Sequence, residues 1–140
     1  MPPRTSELYA RILIAEESRA KVSSDSEALA ALRVCEKLRG PLATLAGTAG
    51  FRSLLHRAVT LAKPKAPWLD ELKLNDDGSF NHTAEMEARL ATVDAARGAA
   101  EVVAQLLGLL ITFIGEALTL RLIQDVWPKA ALKNLKTGGK

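Results

Sequence analysis

The segment AAEVVAQLLGLLITFIGEALTLRLIQDVW, Ala99–Trp127, constrains this chain more than any other. Its uncharged run, Val102–Gly115, has 14 residues. A bilayer crossing needs ~20 apolar residues, so the run reads as a core helix and not as a lone transmembrane span. Glu101 and Glu116 close it, and Arg121 follows within the same pattern. At helical periodicity Glu101, Gln105, Thr112, Glu116 and Thr119 fall on one narrow face, interrupted by Leu109 and Ile123. Ala104, Gly108 and Gly115 form a small-residue edge beside it. The remaining arc carries Val103, Leu106, Leu107, Leu110, Phe113, Ile114, Ala117 and Leu118. A helix apolar over so much of its circumference is expected at the centre of a bundle.

Two details sharpen that expectation. Arg121 aligns with Leu110, Ile114 and Ala117 on the apolar arc, and is expected to emerge near the helix end and pair with Asp125 at i+4. Glycines 98, 108 and 115 each cost roughly 1 kcal/mol against alanine in a helix interior, so close helix–helix contact is expected to offset them. That contact lies either inside the bundle or between two copies.

The rest of the chain reads as helix as well. Ala and Leu, both strong helix formers, occur 23 times each among 140 residues, and aromatics only six times. Ser6 starts a first helix to about Val22, with Leu8, Ile12 and Ala15 inward and Glu16, Glu17 and Arg19 outside. After the turn Ser23–Ser26, a helix over about 26–39 carries Leu29, Leu32, Val34, Cys35 and Leu38. Gly40-Pro41 is expected to break or kink it, leaving a short turn at Leu42–Ala46. Thr48 then caps a helix through Ala62 with Phe51, Leu54, Leu55, Ala58 and Leu61 inward, and Trp68 anchors the following loop in the core.

Leu72–Phe80, with its Asp77-Gly78 turn, predicts a small hairpin or extended loop. It is not an EF-hand: with Gly78 at the sixth loop position, Lys73 and Ala84 would occupy positions that require acids. A further helix from Thr83 carries Met86, Leu90 and Val93. A break is expected between Thr92 and Gly98, with Asp94 as a cap, because one helix from Thr83 to Trp127 would be ~67 Å long. The fold expected is therefore an all-α bundle of about five helices around the C-terminal apolar helix. It forms a single domain over 1–128, followed by a flexible basic tail at 129–140.

Motifs for chemistry are sparse. The sequence has no phosphate-binding glycine loop, no metalloprotease or serine-hydrolase motif and no Cys/His cluster, so no cofactor and no metal are expected. Cys35 is the single cysteine. Paired acids at Glu16/Glu17, Asp76/Asp77 and Glu85/Glu87 read as solvated charges. Glu101 and Glu116 stand ~22 Å apart along a helix and cannot bracket one small substrate. His56 is the one phosphoacceptor candidate. It sits beside Arg57, in a helix of a bundle similar in size to a histidine phosphotransfer domain, but Arg57-Ala58-Val59 departs from that family's lysine-glycine continuation. His82, at a helix start, reads as a cap.

Gly108–Pro128, with Ala49–Ala58 (AGFRSLLHRA), resembles blocks of uncharacterised bacterial small helical proteins. The resemblance spans about a third of the chain and implies a bacterial origin, with no activity, cofactor or catalytic residue attached.

The net charge is +3, with the excess in the tail at Lys129, Lys133, Lys136 and Lys140, and no basic–aromatic interleaving signals nucleic acid. The N-terminal stretch has no secretory pattern, and a cytoplasmic location is expected. The leading expectation is a non-enzymatic interaction or regulatory module, a homo-oligomer joined through the 99–123 helix. Glu101, Gln105, Gly108, Thr112, Gly115, Glu116, Thr119 and Arg121 are its candidate interface or pocket residues. The alternatives are a membrane-active bundle with a shielded apolar helix, and phosphotransfer at His56.

Overall fold

Apolar residues at helical spacing build four helices across residues 5–20, 27–80 and 93–128, the parts of the chain that the computed structural model describes. They are α1 (Thr5–Ala20), α2 (Glu27–Ala62), α3 (Val93–Ile114) and α4 (Glu116–Val126). Two short 3-10 turns, Lys63–Lys65 and Pro67–Glu71, follow α2. The class is all-α, and no strand occurs among the described residues. The expected turn at Ser23–Ser26, the helix from Thr83, His82 and the tail lie outside them.

α3 is the buried axis. Ala99, Val102, Val103, Leu106, Leu107 and Leu110 are almost fully enclosed, with α2 as the principal neighbour, α1 on another flank and α4 folded back. Leu72–Phe80 is an extended loop closed by one β-bridge between Leu74 and Phe80. Arg39 pairs with Asp77 at 3.2 Å, and Arg52 Nε donates to the Asn75 carbonyl at 3.1 Å, tying the loop to both halves of α2.

The helix boundaries differ from expectation at two glycines. α2 continues through Gly40-Pro41 and leaves helical geometry at Gly47 (φ 83°, ψ 158°). Proline removes one helical donor, but the residue before it is glycine, whose missing Cβ avoids the clash that usually forbids helix there. Thr48, expected as a cap, is instead the first residue of the second half of α2, with Gly47 in the cap position. The second break is at Gly115 (φ 89°, ψ 157°), so Ala99–Trp127 is two helices. α3, in turn, runs unbroken through Asp94 and Gly98. Both glycines occupy a backbone region that is essentially closed to other residues. Each lets one helix abut the next without a loop.

The inward face of α1 is also rotated from expectation. Tyr9, Ala10, Leu13 and Ile14 are buried, whereas Ala15 is exposed. Glu17, expected to be solvated, is only 2 % exposed. Its carboxylate is enclosed by cations and a donor: Lys37 Nζ at 2.5 Å, Arg33 Nε at 3.5 Å and the Trp127 indole N–H at 2.8 Å. Burial by itself would raise the Glu17 pKa. The bonds from Lys37 and Trp127, with the charges of Lys37 and Arg33, outweigh it and hold the group below its ordinary value.

The three glycines of the α3 region have different tasks, which substitution to alanine separates. A Cβ on Gly98 would lie 2.6 Å from both Ala66 Cβ and Trp68 Nε1, so Gly98→Ala should cost about 1–3 kcal/mol by overpacking. At Gly108 the nearest atom would be Ser6 Oγ at 3.5 Å, an ordinary contact, and Gly108→Ala should stabilise by about 0.5–1 kcal/mol. Gly115→Ala has open space but a forbidden backbone, and should cost about 1–3 kcal/mol. Urea unfolding of the three variants checks all signs. A destabilised Gly108→Ala would contradict the packing.

Glu17 makes stability depend on acid. Its depressed pKa contributes stability that is fully present above the unfolded-state value near 4.5 and is lost as pH falls through the lower folded-state value. Glu17→Gln should lower stability at neutral pH by about 2–3 kcal/mol, the scale of hydrogen bonds to a charged group, and should flatten its dependence on acid. Denaturant midpoints across that interval, for both proteins, measure the difference.

Candidate functional site

The candidate residues of the apolar segment do not form one continuous stripe. Gly115 separates them into one set on α3 and another on α4, each of which mixes buried and exposed residues. On α3, Glu101 is buried and accepts a 2.7 Å hydrogen bond from Gln105 Nε2, with Lys65 Nζ 3.5 Å from its other oxygen. Gly108 faces Ser6 of α1. Thr112 is exposed, and its hydroxyl donates to the Gly108 carbonyl.

Across the elbow, Glu116 reaches back to α1, where Tyr9 Oη donates to Oε2 at 2.7 Å. Burial, followed by that bond and the charge of Glu116, pushes the Tyr9 phenol well above its usual range, so it stays protonated. Thr119 is fully buried, with its hydroxyl donating 2.8 Å to the Gly115 carbonyl. Arg121 departs from expectation. Because Gly115 resets the helical phase, it leaves the apolar arc and stands exposed on α4. No ion pair joins it to Asp125 among the described residues.

The elbow is where the molecule exposes apolar surface. Phe113 is 63 % exposed and Leu118 43 % exposed. Ala117, Leu118, Arg121, Gln124 and Asp125 are all exposed and fall within about a third of the circumference of α4. This one face therefore combines small and large apolar groups with one cation and one anion.

A second feature was invisible in the sequence. α1, α3 and the turn after α2 enclose a groove of about 480 Å³ that contains Glu7, Arg11, Lys65, Arg97 and Glu101 over an alanine floor. Nothing in the sequence singles out Arg11, Lys65 and Arg97, which come from three separate elements. Only the fold brings them together, and isolated basic residues on helices carry no signal of it.

Groups with potential for chemistry stand apart. His56 is exposed on the second half of α2. Cys35 is fully enclosed, and burial, with a smaller effect from Glu36, pushes its thiol up to about 12, which leaves it a poor nucleophile. Among the described residues no three His, Cys, Asp or Glu side chains are grouped to hold a metal ion. Among the described residues the site offers exposed apolar surface at the elbow and a charged groove. The chain matches no protein-family model, no curated protein and no solved structure.

Proposed function

We propose that this protein is a non-enzymatic interaction module, cytoplasmic and bacterial, that associates with a second copy of itself through α4 and the α3–α4 elbow. It is read as a bundle of about five helical segments with α3 at its centre, counting the two halves of α2 separately. The observation that carries the proposal is the exposed face of α4 beside Phe113. Arg121 and Asp125 are oppositely charged, one helical turn apart and without an ion pair among the described residues, so the face is complementary to itself when turned antiparallel. A two-fold axis near residue 123 would set each Arg121 against Asp125 of the partner subunit, twice over. Leu118 and Phe113 supply the apolar area.

Magnitudes argue for a reversible dimer. Fully burying a leucine or phenylalanine is worth about 1.5–3 kcal/mol, and both are already partly covered. Two such groups per copy, with two peripheral ion pairs of up to about 1 kcal/mol each, only modestly exceed the lower estimates of the entropy lost on association. An assembly formed at micromolar or higher concentration fits that balance.

Sedimentation velocity over a concentration series tests the reading. Phe113→Glu or Leu118→Glu should abolish association while leaving the helical circular dichroism unchanged. Arg121→Asp should weaken it, and the swap Arg121→Asp with Asp125→Arg should restore it. A wild-type chain that stays monomeric at several hundred micromolar would overturn the proposal.

One observation favours a second reading, a membrane-active bundle. Ala95–Ile114 is long and apolar enough to cross a bilayer, with mean hydropathy 1.5, although half of that stretch is buried in the fold. If it inserts, the chain should float with anionic liposomes at low salt and α3 should gain protection from a soluble quencher. Absence of co-flotation at neutral and mildly acidic pH counts against insertion.

A further inference from the structure

The seam between α1 and α3 is held open by small side chains. Ala96, Ala100 and Ala104 follow one another at four-residue spacing along α3, opposite Ala10 and Ala15 of α1. Neither helix fills the space between them. The result is the 480 Å³ groove and a second cavity of about 470 Å³ adjoining it, with Arg11 and Ala100 in the walls of both. Each lies within the roughly 300–1,000 Å³ range of small-molecule sites. The second cavity is mainly apolar, bordered by Ile14, Ala15 and Ala96, with Ser18 and Glu27 also in its wall.

Charge in the first groove is unevenly satisfied. Glu101, the buried acid, has its needs met by Gln105 and Lys65. Glu7 is also engaged. Arg11 and Arg97 are exposed at the rim and make no ion pair among the described residues. A guanidinium presents a planar fork of donors that matches a carboxylate, and two of them border one groove whose floor is apolar. The neighbouring carboxylates of Glu7 and Glu101 disfavour a multiply charged anion there, because like charges in a partly desolvated groove repel.

We infer that the α1–α3 groove binds a small amphipathic carboxylate, its head between Arg11 and Arg97 and its aliphatic chain along the alanine floor toward Ile14. The head takes the unpaired guanidinium donors, and the chain covers apolar surface that the two helices leave open. Arg11, shared by both cavities, stands where head and chain meet. The site is separate from the α4 face, so the inference does not rest on self-association.

Isothermal titration of the full chain with sodium octanoate tests it, with acetate, inorganic phosphate and octanol as probes of head, charge and chain alone. Octanoate should bind at least tenfold more tightly than any of the three. Arg11→Gln and Arg97→Gln should each weaken it about tenfold, and Ala100→Leu, which fills the floor, should abolish it. Thermal melts of each variant show that the fold is retained. Phe113→Glu should bind octanoate as the wild type does. Equal affinity for octanol, tighter binding of phosphate, no heat with octanoate, or binding that survives Arg97→Gln but is lost in Phe113→Glu would each overturn the inference.

Discussion

The carboxylate of Glu17 is the point on which the closure of this fold depends. It comes from α1, its cations from α2 and its indole partner from the residue just after α4, so one buried group joins three elements that are remote in sequence. A buried charge is costly unless it is paired and hydrogen-bonded, and that cost enforces geometry. α4 needs such enforcement. It is short, and its buried residues are only Thr119, Leu120 and Ile123. Its return along α1 is fixed at both ends, by Glu116 with Tyr9 and by Trp127 with Glu17. Apolar contact could slide by a turn, but these two polar ties cannot do so together.

Gly47 and Gly115 supply the complementary freedom. Their backbone angles are nearly the same, and each ends one helix and begins the next. Both joints also expose a large apolar side chain two residues earlier, Leu45 and Phe113. The common cause is geometric. Where a helix stops abruptly and the chain turns away, the last turn has no continuing neighbour to cover it. Apolar exposure at the elbow is thus a consequence of how the chain is redirected, and the proposed interface uses a surface that the joint creates.

The helical class and the burial of α3 were legible because alanine and leucine recur at helical spacing over long stretches. The 72–80 loop was legible from its Asp-Gly turn. The two glycine joints were not, since a glycine in a helical pattern looks the same whether it serves packing, as at Gly98, or a positive φ, as at Gly115. The misreading of Arg121 followed directly: extrapolating one helical phase across Gly115 carried it onto the wrong face. Glu17 was misread because charge is a good guide to exposure only when no partner is in reach. Its partners lie 16, 20 and 110 residues away along the chain. The groove was hidden for the same reason, with Arg11, Lys65 and Arg97 contributed by three elements.

α1 serves both surfaces without making them one. Tyr9 and Glu17 are tied to Glu116 and Trp127 at the two ends of α4. Arg11, Ala15 and Ser18 line the cavities along the α3 seam. At 100° per residue Tyr9 and Glu17 lie more than a quarter-turn from Arg11, with Ala10 and Ile14 of the cavity walls between them, so a head group at Arg11 leaves the ties to α4 open. Coupling between them would have to pass through displacement of α1. The Glu17 cluster resists that displacement, because moving α1 by even one turn would strand a buried carboxylate away from Lys37, Arg33 and Trp127. The same contact that closes the fold therefore favours two sites acting independently, and a bound ligand would alter association only by straining that cluster.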